Sequence, residues 1–314
     1  MYNEQYSKSE NNVDMSSINP SKPAFGYYGA KQRISSFIIN LLPPHNAWVE
    51  VFCGSSAITL AKKPAPIEII NDLDGNIVNV FKQLRENGKE LINLVELTPY
   101  AREEFENAKL ININDSDLEK ARKFLIICMM TVNATVGDHK CGFSYSMSYT
   151  RNGKEARVNR WNNLSSRISD VINRLKNIRV ENQDAREIVK LFSDRPATLM
   201  YLDPPYFVKR SHDYPVDAKE KEFHEELLEL CCASRAMILI SNYNNYLYRK
   251  ILCKKNGWSS RTTTTQTNDT DGKRFERKEV LWMNTHFIKA KENNRVPIRL
   301  SKKEKINNKV NPAR

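Results

Sequence analysis

Four consecutive residues, Asp203-Pro204-Pro205-Tyr206, put a carboxylate, a rigid turn and an aromatic ring directly after the apolar run Thr198 to Leu202. Two prolines suit a turn leaving a buried strand, but turning needs neither the acid nor the aromatic. An α/β sheet takes its ligands at the carboxyl ends of its strands, so the tetrad falls where a proton acceptor and a ring can act on a bound molecule. A second group surrounds another apolar run, Ala47 to Phe52. Gly54 follows that run, and without a side chain its backbone can approach a ligand closely. Glu50 lies inside it, where a carboxylate is costly unless a ligand cation or a neighbouring lysine partners it. Asp72 ends a third run, Ile67 to Asn71. It stands about twenty residues past the glycine turn, the spacing at which an acid accepts the hydroxyls of a nucleoside ribose. Asp74 is better placed to cap the next helix, which leaves Asp72 for a ligand.

These residues need a framework that gathers strand ends, and the periodicity provides one. Ile34, Phe37, Ile38, Leu41 and Leu42 form one helical stripe closed by Pro43-Pro44. Strands at Ala47 to Phe52 and Ile67 to Asn71 then alternate with helices, the second carrying Ile77, Val80, Phe81 and Leu84. Such alternation predicts a parallel sheet covered by helices. It stops over 86–164, a stretch that starts helical and becomes loop-rich from Gly137 to Arg160, and resumes at Ile178 to Val180, Thr198 to Leu202 and Met237 to Ile240. A last strand, Glu279 to Asn284, follows a polar Thr-rich stretch and closes the sheet edge as a hairpin. The expectation is an α/β fold with a discontinuous catalytic domain, 23–85 and 165–288, and an inserted, mainly helical domain over 86–164. The ends, 1–22 and 289–314, read as a disordered tail and a basic one.

At 314 residues, 40% hydrophobic and 27% charged, the chain exceeds a single small module and has the apolar content for a sizeable core. No apolar run approaches the ~20 residues a bilayer requires, and the first residues lack the apolar core of a leader, so a soluble protein that is not secreted is expected. The six cysteines show no C-x-x-C pair and suggest neither zinc nor disulfides, which fits reduced thiols in a cytoplasm. A net charge of +12 favours a polyanionic partner, although the tail from Lys289 onward holds much of it. Between Gly137 and Arg167, Lys140, Arg151, Lys154, Arg157, Arg160 and Arg167 are interleaved with Phe143, Tyr145, Tyr149 and Trp161. That mixture suits either a surface that reads a nucleic-acid groove or a solvated loop with some aromatic packing.

From about Phe25 to Asn284 the sequence resembles the Dam-like DNA adenine methyltransferases, the phage and prophage members above all. The resemblance rests on Tyr27-Tyr28-Gly29-Ala30-Lys31, Leu42-Pro43-Pro44-His45, Glu50 to Ser56, Asn71 to Asp74, Asp203 to Tyr206, and Ser241-Asn242. It implies a Rossmann-like sheet, S-adenosyl-L-methionine as cofactor and double-stranded DNA as partner; no metal or membrane is expected, and the oligomeric state stays open, with a monomer on DNA the expectation. In the chemistry it implies, the Asp203 carboxylate and Pro204 carbonyl accept the amine protons of a flipped adenine. Pro205 keeps the turn rigid and Tyr206 stacks on the base. The cofactor contacts implied are Tyr27, Tyr28, Lys31, Glu50, Phe52, Gly54, Asp72, Asp184 and Asp203; the DNA contacts are Lys140, Arg151, Arg157 and Arg160. Ala30 and Ser56 depart from the pattern, since relatives often have glycine there. Methylation of the cytosine amine stays open, although relatives acting there usually replace the acid at Asp203. So does an inactive DNA-binding relative.

Overall fold

A computed structural model describes residues 21–27, 29, 31–110, 112–132, 142–148, 150–151, 153–207, 220–268 and 274–297. Helix α1 (Ser35–Leu41) leads into β1 (Ala47–Glu50), and α2 (Ala57–Ala61) into β2 (Ile67–Asn71). Next come α3 (Gly75–Glu86), α4 (Gly88–Leu97), α5 (Arg102–Ala108) and α6 (Asp117–Met130). A two-residue ribbon, β3 (Thr150–Arg151) with β4 (Lys154–Glu155), precedes α7 (Ala156–Asn162) and α8 (Leu164–Leu175). Alternation then resumes with β5 (Ile178–Glu181), α9 (Ala185–Phe192), β6 (Thr198–Leu202), α10 (Lys221–Ala233), β7 (Met237–Tyr243) and α11 (Tyr246–Ile251). The described chain ends with β8 (Trp258–Asn268), β9 (Arg274–Asn284) and α12 (Thr285–Asn293).

Seven strands form one sheet in the order β5-β2-β1-β6-β7-β9-β8, and β9 runs antiparallel to both of its neighbours. The chain fills one half of the sheet outward from β1 and returns to lay β6 on the other side of β1. The order therefore reverses between β1 and β6, the switch point where such sheets bind ligands. Period-two side chains separate the two faces. Trp48, Leu199, Tyr201, Met237, Leu239, Leu281 and Met283 pack with α1 and α12, while Val49, Val51, Met200, Leu202, Ile238, Ile240 and Trp282 pack with α9, α10 and α11. Because both faces are covered, β6 is buried along its whole length, which is why it reads as a continuous apolar run.

Two segments differ from the sequence expectation. The Thr-rich stretch before the closing strand is itself a strand, β8, which occupies the sheet edge and leaves β9 inside. Thr262 to Thr264 are β-branched and suit a solvent-exposed edge strand, which polarity alone hides. The loop expected up to Arg160 gives way to α7, whose start is capped by the Glu155 carboxylate accepting the Val158 N–H at 2.6 Å. Helices α3, α4, α6 and α8 share one hydrophobic cluster that also takes in Ile70 and Ile178 of the sheet.

Candidate active site

Beyond the carboxyl ends of β1, β2 and β6 opens a cleft, at the place where such sheets bind ligands. Tyr27, Lys31, Phe52, Gly54, Asp72 and Asp203 all line it. Gly54 has φ +48°, and a Cβ there would lie 3.1 Å from Cδ1 of Tyr27, so the turn requires glycine twice over. The Asp72 carboxylate fixes this turn by accepting the Gly54 N–H at 2.8 Å with Oδ2, while Oδ1 accepts the Asp74 N–H at 3.0 Å. Burial pushes the Asp72 carboxyl up to about 6 against the pull of these two N–H groups. Asp74 caps α3 through the Asn76 N–H at 2.9 Å, as its position in the sequence suggests.

Glu50 lies beneath the cleft, and its partners are hydroxyls and an amide rather than a lysine. Its Oε2 accepts from Ser56 Oγ at 3.1 Å, the Thr59 N–H at 3.2 Å and Thr59 Oγ1 at 2.5 Å. Burial still pushes the carboxyl up to about 7. Ser56 adopts φ 56°, the left-handed region that favours glycine, so the serine departs from the pattern at a position whose backbone suits glycine better. That conformation costs a non-glycine residue about 1 to 2 kcal/mol, which the hydrogen bond to Glu50 partly offsets.

On the other side of the switch point, Asp203 leaves β6 and meets Lys31. The ammonium stands 2.6 Å from Asp203 Oδ2, donates to the Gly29 carbonyl at 3.1 Å and lies 3.7 Å from Glu279 Oε1. Burial alone works against its charge, but the Asp203 and Glu279 carboxylates outweigh that and hold Lys31 above its ordinary value. Burial likewise pushes Asp203 up to about 6, with Lys31 pulling the other way. The Tyr206 ring sits 4.8 Å from the Lys31 ammonium and 4.2 Å, edge-on, from Tyr243. Its hydroxyl donates to Glu279. A carboxylate and a fixed cation, with the Tyr206 ring against that cation, thus stand at the β6 side of a cleft that Asp72 lines from the β2 side.

The family profile of the D12 class N6 adenine-specific DNA methyltransferases matches residues 27–268. The chain belongs to this family. A relative, the Type II methyltransferase M1.LlaDCHI of Lactococcus lactis subsp. cremoris, is 25% identical over 195 residues, which cover 59% of this chain and 66% of the relative. The chain thus spans just under two thirds of that relative's length. Among solved structures, the rRNA methyltransferase aviRa from Streptomyces viridochromogenes aligns over 89% of this chain and 96% of its own, at 13% identity and a TM-score of 0.33. A precorrin 8W decarboxylase from Methanobacterium thermoautotrophicum aligns over 85% and 96%, at 10% identity and a TM-score of 0.34.

In this D12 class chain the remaining site residues expected from sequence fall in different places. Pro204 is buried and Pro205 lines the cleft. Asp184 caps α9, pairs with Arg186 at 2.7 Å and lies outside the cleft lining. Tyr28, Ala30, Lys140 and Tyr149 lie outside the described residues. Arg151 is exposed; Arg157 and Arg160 are half-buried near the Tyr100 hydroxyl. Trp161 is no surface wedge: it is buried, and its Nε1 donates to the Thr98 carbonyl at 2.8 Å. Sequence reasoning passed over Ser55, Gln183 and Phe223, which line the cleft, and Glu279 and Arg102. Arg102 lies over the rings of Phe143 at 5.0 Å and Tyr145 at 5.7 Å, and Tyr145 is exposed. Glu279 could have been noticed as an acid opening an apolar strand, the same signal that marks Glu50. Among the described residues no group of three His, Cys, Asp or Glu side chains could hold a metal, and no helix is long and apolar enough to cross a membrane.

Proposed function

We propose that this protein methylates the exocyclic amine of adenine in double-stranded DNA, using S-adenosyl-L-methionine. The observation that carries this reading is Asp203, salt-bridged to Lys31 at the end of β6 and facing a cleft that Asp72 lines from the other half of the sheet. The cleft fits the cofactor chemically. Ser55 Oγ and Asp74 Oδ2 line it buried and without a hydrogen-bond partner among the described residues, so a polar ligand is wanted there. Asp72 would accept the ribose hydroxyls, the backbone at Gly54 would allow close approach, and Phe52 and Phe223 would wall the site. When bound, the cofactor supplies an electrophilic methyl group.

The protein's part is to hold and deprotonate the nucleophile. The adenine amine is a poor one because its lone pair is delocalised into the ring. With Asp203 and the Pro204 carbonyl each accepting a hydrogen bond from the amine, the nitrogen lone pair is freed and aimed; one proton passes to Asp203 as the N–methyl bond forms and the other stays on the nitrogen, so catalysis is chiefly positioning and electrostatics. Tyr206 offers a face for the base, which must leave the duplex to reach this depth. The segment 86–164 is assigned to target recognition, with Arg151, Arg157 and Arg160 toward the DNA and Arg102 with Tyr145 beside them.

Two carboxyls in the same range make distinct pH signatures. Asp203 must be ionised to accept a proton, so the single-turnover transfer rate is expected to fall as pH drops through about 6. A rate that stays flat from about pH 8 to 5 would contradict the role. Asp72→Ala is expected to weaken cofactor binding by about 10- to 100-fold, the value of a hydrogen bond to a charged acceptor. It should also abolish the acid loss of cofactor affinity while leaving the acid limb of transfer in place. Calorimetric titration at several pH values checks this, and unchanged affinity would remove Asp72 from the cofactor site.

A further inference from the structure

Glu279 sits on the inner strand β9, 4% exposed, yet it reaches three groups of the active centre. Its Oε1 accepts from the Tyr206 hydroxyl, stands 2.6 Å from Ser241 Oγ and lies 3.7 Å from the Lys31 ammonium. Ser241 Oγ also stands 3.2 Å from Asp203 Oδ1. A hydroxyl has one proton to donate, and the shorter contact takes it. Asp203 Oδ2 is already engaged by Lys31 at 2.6 Å. Oδ1 is therefore the oxygen that the lysine leaves free, and a Ser241 proton turned to it takes up one of its two lone-pair sites and weakens it as an acceptor.

We propose that Glu279 is a positioning residue that draws the Ser241 proton to itself, so that Asp203 Oδ1 remains an open acceptor for the adenine amine, and that it orients Tyr206 through its hydroxyl. This rests on the methyltransferase reading above. Replacing the carboxylate by an amide reverses the competition. Among the described residues Asp203 then becomes the anionic acceptor nearest to Ser241, and charge-assisted hydrogen bonds are the stronger ones. Ser241 turns to Oδ1 and competes there with the amine. The other charged or titratable groups around this pair are Lys31 ahead of α1, Glu50 on β1, Tyr201 on β6, Tyr206 after it, Tyr243 on β7 and Tyr248 on α11. Glu279 adds to the proton affinity of Asp203, and a hydrogen bond from Ser241 reduces it to the extent that the proton turns toward Asp203.

The test compares the full-length protein, Glu279→Gln, and Glu279→Gln with Ser241→Ala. In single-turnover transfer to duplex DNA, E279Q is expected to lose about 10- to 100-fold in rate, as when a proton acceptor is blocked. Cofactor affinity should stay within about twofold, because Glu279 lies outside the cleft lining. Adding Ser241→Ala removes the blocking proton and should restore most of the loss, a rescue that a merely structural role for Glu279 would not produce. Parent-like transfer in E279Q, or a double variant no faster than E279Q, overturns the proposal. Titration of the Asp203 carboxyl by 13C NMR reads the same competition without turnover: its midpoint should fall in E279Q and rise again in the double variant. A protein that moves no methyl to adenine would sink the functional reading, and this titration would still decide the role of Glu279, an unmoved midpoint overturning it.

Discussion

Asp203→Ala is expected to fold, to bind cofactor and to transfer methyl at no more than about a thousandth of the parent rate. A positioned proton acceptor contributes about 10²- to 10⁴-fold, and here the same carboxylate also anchors the Lys31 cation beside the base. The fold survives because Lys31 is not left alone. Glu279 remains 3.7 Å away and the Gly29 carbonyl 3.1 Å away, so the buried ammonium keeps a counter-ion and an acceptor. Asp203→Asn should lose as much, since an amide oxygen is a weaker acceptor of the same shape. Single-turnover kinetics alongside calorimetric cofactor titration separates the two properties. Residual transfer within tenfold of the parent would contradict the role given to Asp203.

Glu68→Gln is expected to destabilise the protein by about 3 to 5 kcal/mol while leaving its volume unchanged. Glu68 joins Lys62, 2.6 Å from its Oε1, and the Arg174 guanidinium at its Oε2, and all three side chains are no more than 2% exposed. Neutralising the acid strands two buried cations, which is where the large cost of breaking a buried ion pair arises. Burial alone would push the Glu68 carboxyl up, but Arg174 and Lys62 outweigh it and hold it below its ordinary value. A carboxyl depressed in the folded state stabilises above its unfolded pKa and loses that contribution as pH falls through the folded one. The difference between parent and E68Q should therefore be full at neutral pH and shrink in acid. Urea unfolding at pH 7 and below about pH 4 checks both statements, and a change below about 1 kcal/mol at pH 7 would show the triad to be dispensable.

The elements that carry the site were legible because their signals are local. β2 and β6 keep the bounds read from sequence, and Ile77, Val80, Phe81 and Leu84 are all buried on α3. Asp203 to Tyr206 and Gly54 announce themselves by type and by position after apolar runs. What escaped depends on partners far apart in the chain. Glu68 reads as one polar residue in an apolar strand until α8 brings Arg174 to it. Glu279 reads as the start of a strand until the sheet order lays β9 beside β7, next to Ser241. Glu50 reads as an acid in need of a partner, and its partners come from just past its own strand, Ser56 at the turn and Thr59 on α2. Trp161 shows the opposite failure, since an aromatic among arginines suits both a surface and a core, and only the Thr98 carbonyl decides between them. The Thr-rich strand β8 escaped because its edge position leaves no apolar alternation to read.

Methyl transfer to the adenine amine in duplex DNA can be followed directly. Full-length protein is incubated with S-adenosyl-L-methionine bearing a labelled methyl group and with unmethylated double-stranded DNA. The DNA is then digested to nucleosides and the label located by chromatography and mass spectrometry. The expected result is label in N6-methyldeoxyadenosine, formed by the parent and absent with Asp203→Ala. Label in a methylated cytosine instead, or none in DNA while the cofactor still binds, would contradict the account.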